Sequence, residues 1–285
     1  MFNGLVINPA YAGNDDKLTT NVIARKQWIT IPGSPLTFIA SGHAPVTKNG
    51  LSFGGIFTND NAGFITQNGF TGIGSYRIKT SYNSSLSFGL QFGLTSSNID
   101  FSRISVQEAN DPEFAQTNYK GILPNFGTGV YFKNKRLNLG LSVPYLLNQM
   151  VNSMVQVQRR YYMLFGSYSF DLSPNVMLKP SFLLKVDPDV PIQLDLNTNI
   201  TFYKVLTFGA SYRSFSSINI LGQYNVNEQL SIGYALDIST LGINNNNNAN
   251  GYTSSNEIMV QYKFEPAQSY KSRSLHLKNK STFKK

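Results

Sequence analysis

Cysteine is missing from this chain, and histidine nearly so, with His43 and His276 the two present in 285 residues. Without cysteine there is no disulfide framework, no thiolate nucleophile and no soft metal ligand. His43 falls on a predicted strand and His276 in a basic tail. Each is expected to be structural or solvated rather than a metal ligand or general base. Charge is scarce as well: Asp, Glu, Lys and Arg make up 14% of the chain. Long apolar runs are also lacking. No stretch approaches the roughly 18 consecutive apolar residues that a transmembrane helix needs, so any crossing of a membrane must be made by strands.

What the chain does have is aromatic residues and alternation. It holds 16 Tyr, 20 Phe and 23 Gly, a composition that suits an outer surface facing lipid with aromatic girdles at its edges. Leu137, Leu139, Leu141, Val143 and Tyr145 fall on one side of a strand, and Asn138, Gly140 and Ser142 on the other, because successive strand side chains point to opposite faces. Leu86, Phe88, Leu90, Phe92 and Leu94 alternate in the same way with Ser85, Ser87, Gly89, Gln91 and Gly93. A soluble sandwich shows this period too. The length of the runs and their number favour a barrel.

Turn residues divide the chain into about fourteen strands, over 18–28, 35–45, 50–59, 64–79, 84–98, 124–133, 136–146, 159–171, 176–187, 192–203, 206–215, 217–226, 230–240 and 256–264. An even count suits a bacterial single-chain barrel. The connections at one end are all short. Those at the other end include three long ones, 99–123, 147–158 and 241–255, matching the short periplasmic turns and longer extracellular loops of such barrels. In the last strand, Ile258, Val260, Tyr262 and Phe264 are expected to face lipid, and Glu257, Gln261 and Lys263 the lumen. A charge at the bilayer midplane costs about 2–4 kcal/mol. The same rule turns Arg213 and Asp237 inward. The fold class is therefore all-β: a transmembrane antiparallel barrel over 18–264, with an N-terminal segment, 1–17, packed in or under the lumen, and a basic, flexible periplasmic tail over 265–285.

The tail accounts for most of the net charge of +9: six of the 24 Lys and Arg lie in residues 271–285 with no acid, and the chain without them would carry +3. It lacks the interleaved aromatics of a strand-binding nucleic-acid site, and nucleic acid is not an expected partner. The first residues show no basic n-region or apolar h-region. A barrel needs an export signal, so the numbering is expected to start near a mature terminus; a cytoplasmic protein that never had a signal is compatible with the same end.

No catalytic constellation stands out, and neither enzyme nor cofactor chemistry is expected. Asp15-Asp16, Asn59-Asp60-Asn61 and Asp187-Pro188-Asp189 resemble calcium ligands superficially but lack the spaced ligands and terminal bidentate Glu of a known loop. They read as turn-forming acids. The glycines of Gly69-Phe70-Thr71-Gly72-Ile73-Gly74 lie in an alternating strand with no helix following, so a phosphate loop is not expected. The run Asn244 to Asn248 reads as a flexible polar loop.

One segment is more specific. Asn8, Pro9, Ala10, Tyr11, Ala12 and Gly13 follow the apolar run Leu5-Val6-Ile7. Pro9 fixes its own φ and holds Asn8 extended, and Gly13 permits a left-handed conformation, so a compact bend is expected to anchor the entering chain. This motif closely resembles the start of PorP/SprF-family proteins, outer-membrane components of type IX secretion and gliding motility. The resemblance extends over most of the chain: Phe2-Asn3-Gly4-Leu5-Val6-Ile7 leads into the motif, Arg25-Lys26-Gln27-Trp28 closes the first strand, and Asn256-Glu257-Ile258-Met259 opens the last. The basic tail departs from members that end near the last strand.

The resemblance implies a non-enzymatic barrel of the outer membrane, in contact with its lipid. Such a barrel helps export a large secreted adhesin or surface protein and retains its C-terminal domain at the cell surface, with the periplasmic ring or motor proteins of the system as further partners. The long connections would be the contact surface for the client. The alternative reading is a passive channel or transporter for small or hydrophobic molecules.

Overall fold

The computed structural model describes residues 3–29, 31–47, 49–100, 119–151, 155–240 and 253–265. A helical turn, α1 (Gly4–Ile7), and a 3-10 turn (Pro9–Tyr11) lead into β1 (Thr19–Lys26), β2 (Leu36–Pro45), β3 (Leu51–Ala62), β4 (Ile65–Ser81), β5 (Ser84–Ile99), β6 (Tyr119–Lys133) and β7 (Leu137–Tyr145). A separate hairpin, β8 (Gln149–Val151) and β9 (Val155–Gln158), follows. The wall then continues through β10 (Tyr161–Tyr168), β11 (Phe170–Ser173), β12 (Val176–Asp187), β13 (Val190–Phe202), β14 (Leu206–Arg213), β15 (Ser217–Asn225), β16 (Leu230–Ser239) and β17 (Ser254–Lys263).

All pairings are antiparallel, and each strand of the wall pairs with the next. β1 meets β17 from Thr19↔Lys263 to Lys26↔Asn256, which closes the ring. Closure is the solution that leaves no unpaired edge in a bilayer. β10 pairs with both β7 and β12, and β11 carries β10 onward along β12 past Ser169. Counting β10 and β11 as one broken strand gives a fourteen-stranded barrel. Both ends of the ring's chain lie on one side, as an even count requires.

The expected spans match the wall strands closely, with three differences. The predicted strand 159–171 is broken at Ser169. β6 begins at Tyr119 rather than 124, which lengthens the wall toward the far end. The connection 147–158 contains the β8–β9 hairpin. The greater parts of the other two long connections, 101–118 and 241–252, lie outside the described residues, as do the Asn244–Asn248 run and residues 266–285 with His276.

The two faces sort as the alternation requires. Leu90 is 68% exposed, Phe70 64% and Ile258 55%, on the outside, whereas Ser87, Ser142 and Met259 on the other face are buried. A folded N-terminal segment occupies part of the lumen, and the Ser142 hydroxyl lies beneath it, donating to Ile7 O.

Candidate functional site

The lumen is organised by that segment. Leu5, at 1% exposure, packs with Ala12, Ile56 and Ile73, flanked by Val6, Tyr11 and Ile39, to form an apolar core between plug and wall. Asn8 is extended at φ −147° and caps the 3-10 turn: its Oδ1 accepts from the Ala10 N–H at 2.9 Å. Its Nδ2 donates to Val130 O at 2.9 Å and Leu141 O at 3.3 Å, joining the turn to β6 and β7. Gly13 adopts φ +75°, with Ser52 so close that a side chain there has no room. These are the bend and the anchor expected of the motif.

The seat for the turn is cut from glycine. Gly89 and Gly129 lie directly opposite one another on β5 and β6. A Cβ on Gly89 would overlap backbone atoms of Pro9 and Ala10, and one on Gly129 would overlap the Asn8 carboxamide. Gly140 on β7 makes the same allowance for Asn8. Sequence reasoning placed these glycines in strands and missed their role. The signal was there in parity: all three fall on the lumen face.

A ring of polar latches holds the rest. Ser75 Oγ donates to Ala12 O at 2.8 Å, Ser142 Oγ to Ile7 O at 2.6 Å, and Lys133 Nζ to Asn14 O at 3.1 Å. Asp15 pairs with Lys263 at 3.2 Å and Asp16 with Arg77. These two acids are therefore salt-bridge partners of the wall. Desolvation inside the barrel, reinforced by Asp15, pushes the Tyr11 phenol above its ordinary value. It thus stays neutral between the edges of His43 and Tyr131, whose ring centroids lie 5.7 and 5.5 Å away.

His43 is buried, and its Nδ1 accepts the Gly13 N–H at 3.1 Å. A nitrogen that accepts carries no proton, so this contact requires the neutral ring with hydrogen on Nε2. Replacing His43 with Ala orphans the Gly13 N–H and is expected to weaken plug docking by about 1–3 kcal/mol. Amide hydrogen exchange at Gly13 would read this, and unchanged protection would refute the role given to His43.

Opposite the plug runs a belt of charge. Arg213 Nε meets Asp195 at 3.1 Å and its Nη1 meets Asp237 at 3.6 Å, while Arg25 donates to Asp237 at 3.2 Å. This ties β13, β14, β16 and β1 together across the inner wall. The inward placement of Arg213 and Asp237 was legible; their partners Asp195 and Arg25 were not. Asp60 accepts from Thr37 Oγ1 at 2.8 Å, and Asp187 accepts the Asp189 N–H at 3.1 Å in a turn. Both fit turn and strand-end roles.

The model of the type IX secretion system membrane protein family PorP/SprF matches residues 1–262. The chain belongs to the PorP/SprF family. No curated protein matches it. Among solved structures, the PorP/SprF chain is similar to the toluene transporter TbuX of Ralstonia pickettii, with 9% identity over 92% of this chain and 93% of that one and a TM-score of 0.54. It is also similar to the CymD monoaromatic hydrocarbon channel, at 11% identity, 92% and 93% coverage and a TM-score of 0.55. At such identity the likeness is one of fold. Family and fold together place this PorP/SprF barrel in the outer membrane, with its apolar outer face against lipid.

Proposed function

We propose that this barrel helps export a large secreted adhesin or surface protein and retains the client's C-terminal domain at the cell surface, without enzymatic chemistry of its own. The observation that carries the reading is the latched plug in a family member of type IX secretion. A lumen crossed by residues 3–17 and pinned to β2–β7 is a poor route for a polypeptide. The far rim is then the surface left for a folded client. There the three long connections begin and end, at Ile99 and Tyr119, around the β8–β9 hairpin, and at Ser239 and Ser254. On the opposite side the short turns form a compact face suited to the periplasmic ring or motor proteins of the system.

The test is genetic. In a strain lacking this barrel, surface display of the large secreted protein encoded beside it is expected to fall by an order of magnitude or more, with the protein released to the medium or retained inside. Normal display measured by whole-cell immunofluorescence would end this reading.

A further inference from the structure

The plug explains the glycines that seat it on the inner wall, but it cannot explain two that face the other way. Gly72 and Gly74 of β4 lie between Phe70 and Tyr76, which are 64% and 49% exposed at the same parity, so both glycines point outward. Glycine inside a strand weakens it, and its usual reasons are a bulge, a bend or the close approach of something else. The protein's own structure requires neither of them. The pairing of β4 with β3 and β5 runs through both positions without a register shift, and neither glycine has a positive φ. An added Cβ would meet nothing nearer than 4.0 Å at Gly72 or 3.8 Å at Gly74.

What the missing side chains help to leave is a recess of about 970 Å³ in the outer surface of the wall. Gly72 and Gly74 contribute to its floor, and Phe53, Phe70, Phe92 and Phe126 stand around it on β3 to β6. Phe92 and Phe126 lean on one another with centroids 5.1 Å apart. The lining is almost entirely hydrocarbon.

The surroundings decide the occupant. The outer face of this barrel lies against lipid, and the recess is continuous with that face, so what enters it comes from the bilayer. Between Phe70 and Gly74 it follows β4 for about 14 Å at the rise of an antiparallel strand. That length fits within half of the roughly 30 Å hydrocarbon core, the part that the chains of one leaflet occupy. A chain lying on a convex wall is touched along one side. A chain in the recess meets aromatic rings on several sides, and its weak dispersion contacts add up over many carbons.

We propose that this recess is a lipid site, holding one acyl chain of a bilayer lipid firmly enough to stay bound when the barrel is extracted into detergent. The site needs only the bilayer, and it stands apart from the secretion role.

The experiment uses the full chain purified from its own outer membranes in mild detergent and washed extensively, with the retained lipid extracted and quantified by mass spectrometry. Unboiled gel mobility verifies that each variant is a folded barrel, and size-exclusion chromatography with light scattering reads the oligomeric state. The wild type is expected to carry stoichiometric lipid. Gly72→Leu/Gly74→Leu, which fills the recess, should lower that amount several-fold. Gly222→Leu adds the same bulk at another outward position with nothing within 4 Å, and should leave it unchanged. A wild type stripped of lipid by the wash, or equal retention in the recess-filled variant, would overturn the proposal. So would a wild-type dimer that the recess-filled variant converts to monomer, since the recess would then belong to a contact between copies of the chain.

Discussion

Gly89→Val is expected to expel the N-terminal segment from the lumen while leaving the barrel intact. The added carbons would lie where the Pro9 carbonyl carbon and Ala10 nitrogen now are, and backbone held by a proline and a capped turn has no rotamer with which to yield. Overpacking in a well-packed site costs about 1–3 kcal/mol and more where the neighbour cannot move. The opposing stabilisation comes from a few hydrogen bonds worth roughly 1 kcal/mol each and a small apolar cluster. The wall itself gains from the change, because valine favours extended strand more than glycine does. Trypsin cleavage after Lys17 in detergent would follow the release: slow in the wild type, fast in the variant, with unboiled gel mobility unchanged. Gly222→Val is the control, since nothing lies within 4 Å of an added carbon there. Equal protection of Gly89→Val and wild type would show that the turn is not seated on this glycine.

The second large effect is expected at the charge belt. Arg213→Met removes the cationic partner of Asp195, whose side chain is 7% exposed and keeps only the Gln193 amide at 3.0 Å, and one of the two cationic partners of Asp237. Removing one member of a buried pair costs about 3–5 kcal/mol, because the remaining charge stays desolvated and alone. The lower part of that range applies, since Arg213 keeps 26% exposure and Asp237 keeps Arg25. The urea midpoint for folding into vesicles should fall accordingly. Adding Asp195→Asn to Arg213→Met should restore most of the loss, since the stranded carboxylate is then gone. A double variant no more stable than the single one would mean that Arg213 acts through packing of its stem rather than through charge.

Much of this architecture was legible because strand parity is a strict rule. Ile258 and Val260 point to lipid and Glu257 to the lumen, and one residue of slippage would have put Glu257 in the bilayer. The compact bend at Asn8 to Gly13 was legible for the same kind of reason, since Pro9 and Gly13 restrict φ locally. The break at Ser169 was not, because Tyr168 and Phe170 preserve an aromatic pattern across it. Nor could one sequence show what Gly89, Gly129 and Gly140 accommodate: the absence of a side chain acquires meaning only when the object that fills the space is known. The partners of His43 and Arg25 stayed hidden on similar grounds. Gly13 and Asp237 lie 30 and 212 residues away in the chain, beyond the reach of any local pattern.

The latches of the plug have an order in time. Its hydrogen-bond partners, from Ser41 and His43 through Ser75, Arg77, Val130 and Lys133 to Leu141 and Ser142, all belong to the first half of the chain. Lys263, the ion-pair partner of Asp15, is the exception, and it sits at the end of the strand that closes the ring. Distant pairings are paid for last in folding, after the loop between them has been drawn in. The N-terminal segment can therefore serve as a template on which the first seven strands curl while the barrel is still an open sheet, and the Asp15–Lys263 pair forms only when the last strand arrives. Seen in this way the segment is less a stopper inserted into a finished barrel than a mandrel around which the barrel is wound.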